Sequence, residues 1–135
     1  MKYTQADVDA LNATLGLQQW GYTLHEDEDG GQKLLGWFES GSGCHVTQDC
    51  QLAPWSHHVV GAVLDAWSAA GLLFKVGQHP KVDGDIRWCV EIGYPGVDLR
   101  NLFAPDILTA VIKANTAWQE SKERIGALTE RGAGE

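Results

Sequence analysis

Ile86-Arg87-Trp88-Cys89-Val90-Glu91-Ile92 alternates a large apolar residue with another type at every second position. Successive side chains of a strand point to opposite faces, so this period of two predicts a strand over 86–93. The chain just before it, 72–78, has strand composition. The two runs are joined by His79-Pro80-Lys81-Val82-Asp83-Gly84-Asp85, whose Asp-Gly pair supplies turn chemistry. They read as a hairpin. Further upstream the period changes to that of a helix: Val59, Val60, Val63, Leu64, Trp67 and Ala70 share one stripe, Ser56 is placed to cap it, and Gly71 stops it. Downstream, Pro105 fits the first position of a last helix with Asp106 beside it. Ile107, Leu108, Val111, Ile112 and Trp118 form its apolar face. After Arg124 the glycines 126, 132 and 134 predict fraying, so 126–135 reads as a flexible tail.

The first half carries a helix and β-rich runs of its own, and no internal repeat or interdomain linker is visible. Thr4 can cap a helix with Asp7 three residues on, Val8, Leu11 and Leu15 recur at helical spacing, and Gly16 ends it. Residues 19–25 and 33–39 are β-rich runs around an acidic turn, 26–31, in which Glu26-Asp27-Glu28-Asp29 precede Gly30-Gly31. Leu34-Leu35-Gly36-Trp37-Phe38 is apolar on both faces and predicts a strand covered on both sides. Residues 41–55 show no periodicity and read as a long loop. The expected order is α-ββ-α-ββ-α: an α+β domain over 1–125, with helices packed on a small antiparallel sheet in a sandwich-like arrangement.

Composition bounds the function. At 135 residues with 44% hydrophobic side chains, including six Trp, the chain can fill one core. It contains no run of about 18 apolar residues, so no membrane span is expected. The opening residues lack the apolar stretch of a secretory signal, and three cysteines are too few for a disulfide scaffold. Both point to a reducing, cytoplasmic setting. The formal charge is −8, which disfavours direct nucleic-acid binding because no counterion-releasing surface is supplied. Its distribution is uneven: two basic residues face nine acidic ones up to Gly71, and eight face nine thereafter.

Pro54-Trp55-Ser56 leading into a helix with Ala62, Leu64 and Trp67, then Gly71, the Trp88-Cys89-Val90-Glu91-Ile92 strand and a closing helix with Ala110, Ile112 and Ala114 resemble the phage α/β/α sandwich domain family. Asp9-Ala10-Leu11 in the opening helix and Gly21 after Trp20 are similar too. The likeness covers most of the chain except the acidic hairpin and the loop after it, which look like an insertion. It implies a small phage- or prophage-encoded accessory protein acting in the bacterial host cell. The family is not defined by a catalytic motif, so no active-site residue carries over.

Three chemistries compete for the site. The first is a non-enzymatic binding protein, a counter-defence inhibitor whose acidic residues Glu26, Asp27, Glu28 and Asp29, with Trp37 and Trp55 as anchors, engage a basic host protein. The second is a sponge for a small nucleotide signal, in which Trp55, His57, His58, Arg87 and Arg100 stack on and pair with the ligand. The third is a metal enzyme on Cys44, His45, Cys50 and His57. Zinc accepts such ligands, but neither CxxC nor HxxxH occurs, so no metal or other cofactor is expected. Cys89 reads as a packed strand residue, and turn formation accounts for Asp83 and Asp85. Self-association as a homo-oligomer stays open.

Overall fold

Thr4 begins the first helix as its sequence requires. Its side chain accepts from the Asp7 N–H while the Asp7 carboxylate accepts from the Thr4 N–H at 2.9 Å, a reciprocal cap on α1 (Gln5–Leu15). Gly16 ends α1 with φ +68°, a left-handed conformation that suits glycine. The structure, a computed structural model, describes residues 3–16, 21–26, 28–39, 45–52, 54–80, 86–94 and 97–133. Within these it describes side chains except at 37–39, 45–47, 79–80, 86, 94, 97–100 and 123–133.

After α1 come β1 (Tyr22–Glu26), β2 (Gln32–Glu39) and β3 (His45–Asp49), an antiparallel sheet in chain order. The hairpin is present as expected, with Glu26 opposite Gln32 at its tip and Gly30 at φ +86°. The long loop expected over 41–55 is corrected, because 45–49 pairs with β2 from Glu39–His45 to Leu35–Asp49. Cross-strand pairing organises this segment where its own pattern does not. In β2, Leu34 is buried and Leu35 half-buried. The side chains of Trp37 and Phe38, needed to judge cover on the second face, lie outside the described residues.

The second half reuses the order: α2 (Trp55–Ala69), then β4 (Leu73–Pro80), β5 (Ile86–Tyr94) and β6 (Val97–Ala104), a second antiparallel sheet. Ser56 does not cap α2. Pro54 holds the N-cap position, and the Ser56 and His58 N–H groups donate to the Leu52 and Pro54 carbonyls. The tight turn before the helix supplies acceptors that a side-chain cap would otherwise provide. Gly71 does what its position predicts: at φ +82° it donates to Ser68 while Leu72 donates to Trp67, a Schellman ending. The strand β6 has no counterpart in the sequence reading. Asp106, not Pro105, starts α3 (Ile107–Ala133), its carboxylate accepting from the Thr109 N–H at 2.9 Å. The helix continues to Ala133 instead of fraying after Arg124, so the tail expected from 126 is helical that far.

The α+β class and helix-on-sheet packing are as the sequence predicts, with one strand added to each hairpin. One continuous core joins the parts: Val8 and Leu11 of α1, Tyr22 and Leu34 of the first sheet, Val59, Val63 and Trp67 of α2, Val90 and Ile92 of β5, and Val111, Ile112 and Trp118 of α3. Of the three Trp expected inside, Trp67 and Trp118 are buried and Trp88 packs half-buried against the cluster. The third helix fastens the others through polar contacts. Asp7 is buried and paired with Lys113, and accepts from the Thr116 hydroxyl at 2.6 Å. Burial alone would raise its pKa, but the hydrogen bonds from Lys113, Thr116 and Thr4, with the Lys113 charge, hold it below the usual carboxylate value. Asn115 is buried and accepts from the Trp67 indole N–H at 3.0 Å and the Thr14 hydroxyl at 2.8 Å. An indole can only donate, so the amide oxygen must face it, and the Asn115 Nδ2 is left buried without an acceptor.

Candidate functional site

Three surfaces carry the chemically interesting side chains. At the tip of the β1–β2 hairpin, Glu26, Glu28 and Asp29 are all exposed, and the Asp29 carboxylate accepts from the Gly31 N–H at 3.4 Å to brace the turn. Asp27 lies outside the described residues. Trp37 sits five residues beyond Gln32 along β2, roughly 17 Å from the tip at the usual strand rise. Its position is therefore remote from the acidic group with which the sequence associates it.

The second surface is the turn into α2. Trp55 is half-buried with its ring centroid 5.6 Å from that of His58, and His57 and His58 are exposed beside it. Leu52 projects from the preceding turn. The Ser56 and His58 N–H groups are already bonded, so this helix start offers an anion fewer donors than an open one.

Arg87 belongs elsewhere, on β5, where its guanidinium lies 4.1 Å from the centroid of the Phe103 ring of β6. Arg100 pairs with Ile92 in backbone register, five positions along β5 from Arg87, and its side chain lies outside the described residues. The structure thus gathers Trp55 with His58 and Arg87 with Phe103, two groups on different elements.

The Cys/His set separates as well. Cys50 is fully buried in the core, its thiol donating to the Gln48 carbonyl at 3.6 Å. Burial, and then the Asp49 charge, push it up to about 11 against a backbone hydrogen bond from Gly36. At neutral pH it is a protonated thiol, the wrong form for a nucleophile. His57 is exposed on α2, while Cys44 and the His45 side chain lie outside the described residues. Among the described residues, no three His, Cys, Asp or Glu side chains are grouped to hold a metal ion, and no helix is long and apolar enough to cross a membrane.

The third surface is one that the sequence reading did not single out: the outer face of the second sheet. Phe74, Val76, Trp88, Val90, Ile92, Leu102 and Ala104 belong to the core or pack against it. The alternate positions, Leu73, Lys75, Gly77, Arg87, Cys89, Glu91, Asn101 and Phe103, form the opposite face. Leu73 is 59% and Phe103 46% exposed. A Cβ built on Gly77 meets nothing within 4 Å, so that part of the face is open. Cys89 is only 4% exposed yet stands apart from the core cluster. It lies between Gly77 and Phe103 in register, with Arg87 one row along. Desolvation and the Glu91 charge raise its pKa, outweighing Arg87. The alternation of Arg87, Cys89 and Glu91 signalled a second face, but Phe103 joins it only through β6.

No protein-family model matches the chain, and neither does any curated protein or solved structure.

Proposed function

We propose that this chain is a non-enzymatic binding protein that engages a basic protein surface through the acidic tip of its first hairpin. The observation that supports the reading is the exposure of Glu26, Glu28 and Asp29 together at the end of a two-stranded arm. A negative tip raises the encounter rate with a positive partner and sets its orientation. The concentration of charge in the first half works in the same direction. On the resemblance to the phage α/β/α sandwich family, the partner is a bacterial host protein in the cytoplasm, and engagement inhibits it as counter-defence.

The test is reversal of Glu26, Asp27, Glu28 and Asp29 to Lys, followed by affinity capture from bacterial lysate across a salt series. Folding should survive, because an exposed turn contributes little packing. Capture of the partner held by the parent chain should fall, most steeply at low salt where attraction is least screened. Equal capture by both proteins at every salt concentration would remove the acidic tip from the interface and sink this reading.

A further inference from the structure

The outer face of the second sheet carries a charge pattern that complements itself. Gly77, Cys89 and Phe103 form one row across β4, β5 and β6. Two residues to either side of Cys89 along β5 stand Arg87 and Glu91. Among the described residues neither has an ion-pair partner. The Arg87 guanidinium is held over Phe103 instead, with its Nε buried and without an acceptor. A buried donor left unmatched is costly, and a guanidinium resting on a ring still has N–H groups to offer a carboxylate.

We propose that this face is a two-fold symmetric interface with a second copy of the chain, the two sheets stacked face to face. Consider a rotation axis lying along the Gly77–Cys89–Phe103 row. It turns β5 end for end, sets Cys89 over its counterpart, and places Arg87 of each copy opposite Glu91 of the other. One operation creates two opposite-charge pairs from side chains that have no ion-pair partner among the described residues. The alternative axis, along β5, would set Arg87 against Arg87 and Glu91 against Glu91, so the charges select the first arrangement. Gly77, bare of a side chain and open above, lets the backbones approach at the axis. The two half-exposed Phe103 rings meet at one end of the row. Stacked sheets sit about 10 Å apart with strands inclined about 30°, a gap that an Arg and a Glu reach across together. Three strands make a face only about 14 Å wide, which belongs with small, transient interfaces. The association is therefore weak, and it is separate from the acidic tip of the first sheet.

Sedimentation velocity of the full chain between about 1 and 500 µM tests it, a range that spans affinities of weak dimers. The parent is expected to pass from monomer to dimer. Arg87→Glu or Glu91→Arg alone brings like charges together on both sides of the axis and should weaken the dimer by about a hundredfold or more. The double variant, Arg87→Glu with Glu91→Arg, restores both pairs in reverse. An equimolar mixture of the two single variants should form a heterodimer, since each supplies the charges the other lacks. Circular dichroism confirms that each variant folds. Should one fail, Arg87→Gln and Glu91→Gln, each expected to weaken the dimer about tenfold, decide the same question. A parent that stays monomeric throughout, a dimer indifferent to the folded variants, or a mixture that remains monomeric would overturn the proposal.

Discussion

The chain uses one plan twice, a helix followed by a three-stranded antiparallel meander, and fastens the two copies by different forces. In the first, α1 buries only Asp7, Val8, Ala10 and Leu11, and its sheet is tied down by side-chain amides. Asn12 clamps Tyr22 through both backbone groups, at 3.0 and 2.8 Å, and Gln32 does the same to Tyr3 at 3.0 Å on each side. In the second, α2 buries Val59, Val60, Val63 and Trp67, and Trp67 meets Phe74 of β4 edge-on at 5.5 Å. A helix short of apolar surface can still dock if its few contacts are directional and complete. The first unit should therefore respond to lost hydrogen bonds and to pH, the second to lost volume.

The largest break should come from Trp67→Ala. The side chain is fully buried, packs on Phe74 and donates to Asn115. Truncation removes a large volume and leaves the Asn115 oxygen with one donor fewer, at a cost of about 3 to 5 kcal/mol. Thermal melting is expected to show severe destabilisation or no cooperative transition. A melting temperature near that of the parent would mean that the second unit does not depend on this packing.

Next in size is Asp7→Asn, which severs the charged tie between α1 and α3. Lys113 is about one-third exposed and keeps partial hydration, so the loss should be about 2 to 3 kcal/mol, below that of a fully buried pair. The sign of its pH dependence is fixed. Because the folded-state pKa lies below the ordinary aspartate value of 3.8, the stabilisation is fully present above that value and is lost as pH falls through the lower, folded one. Urea midpoints measured from pH 7 down to pH 2 should fall more steeply for the parent than for the variant below about pH 4. Parallel acid limbs would show that the pair contributes no linkage.

Asp7 also shows where sequence reading stops. Its capping role was legible because Thr4 is three residues away, as Gly16 and Gly71 were legible as helix ends. Its partners Lys113 and Thr116 lie more than 100 positions away, and no local period encodes them. The same holds for Asn115 beneath Trp67. The strand β3 was hidden because 45–49 has little apolar alternation and is ordered by pairing with β2. The strand β6 was hidden because Val97–Ala104 mixes both faces, with Phe103 exposed between Leu102 and Ala104, and because register shifts at Ile92/Gly93. The acidic tip could be read directly from four consecutive charges. The outer face of the second sheet could not, since Arg87 and Phe103 become neighbours only once β6 is in place.

The smallest expected effect is also the sharpest on the comparison. Asn12→Ala removes both arms of the clamp on Tyr22 and leaves the Tyr22 N–H without its side-chain acceptor. The overall cost should be about 1 to 2 kcal/mol, because the Tyr22 N–H loses its acceptor and the Tyr22 carbonyl loses the Asn12 amide. The useful reading is local. Hydrogen exchange at the Tyr22 amide should quicken more than the global loss accounts for, as β1 opens at its end nearest α1, while amides of β4 and β5 should follow the global change alone. That outcome would show the first sheet held at discrete polar points and the second through its packed face. If amides in both sheets quicken equally, the two units open as a single body, and the difference in how they are fastened has no energetic consequence.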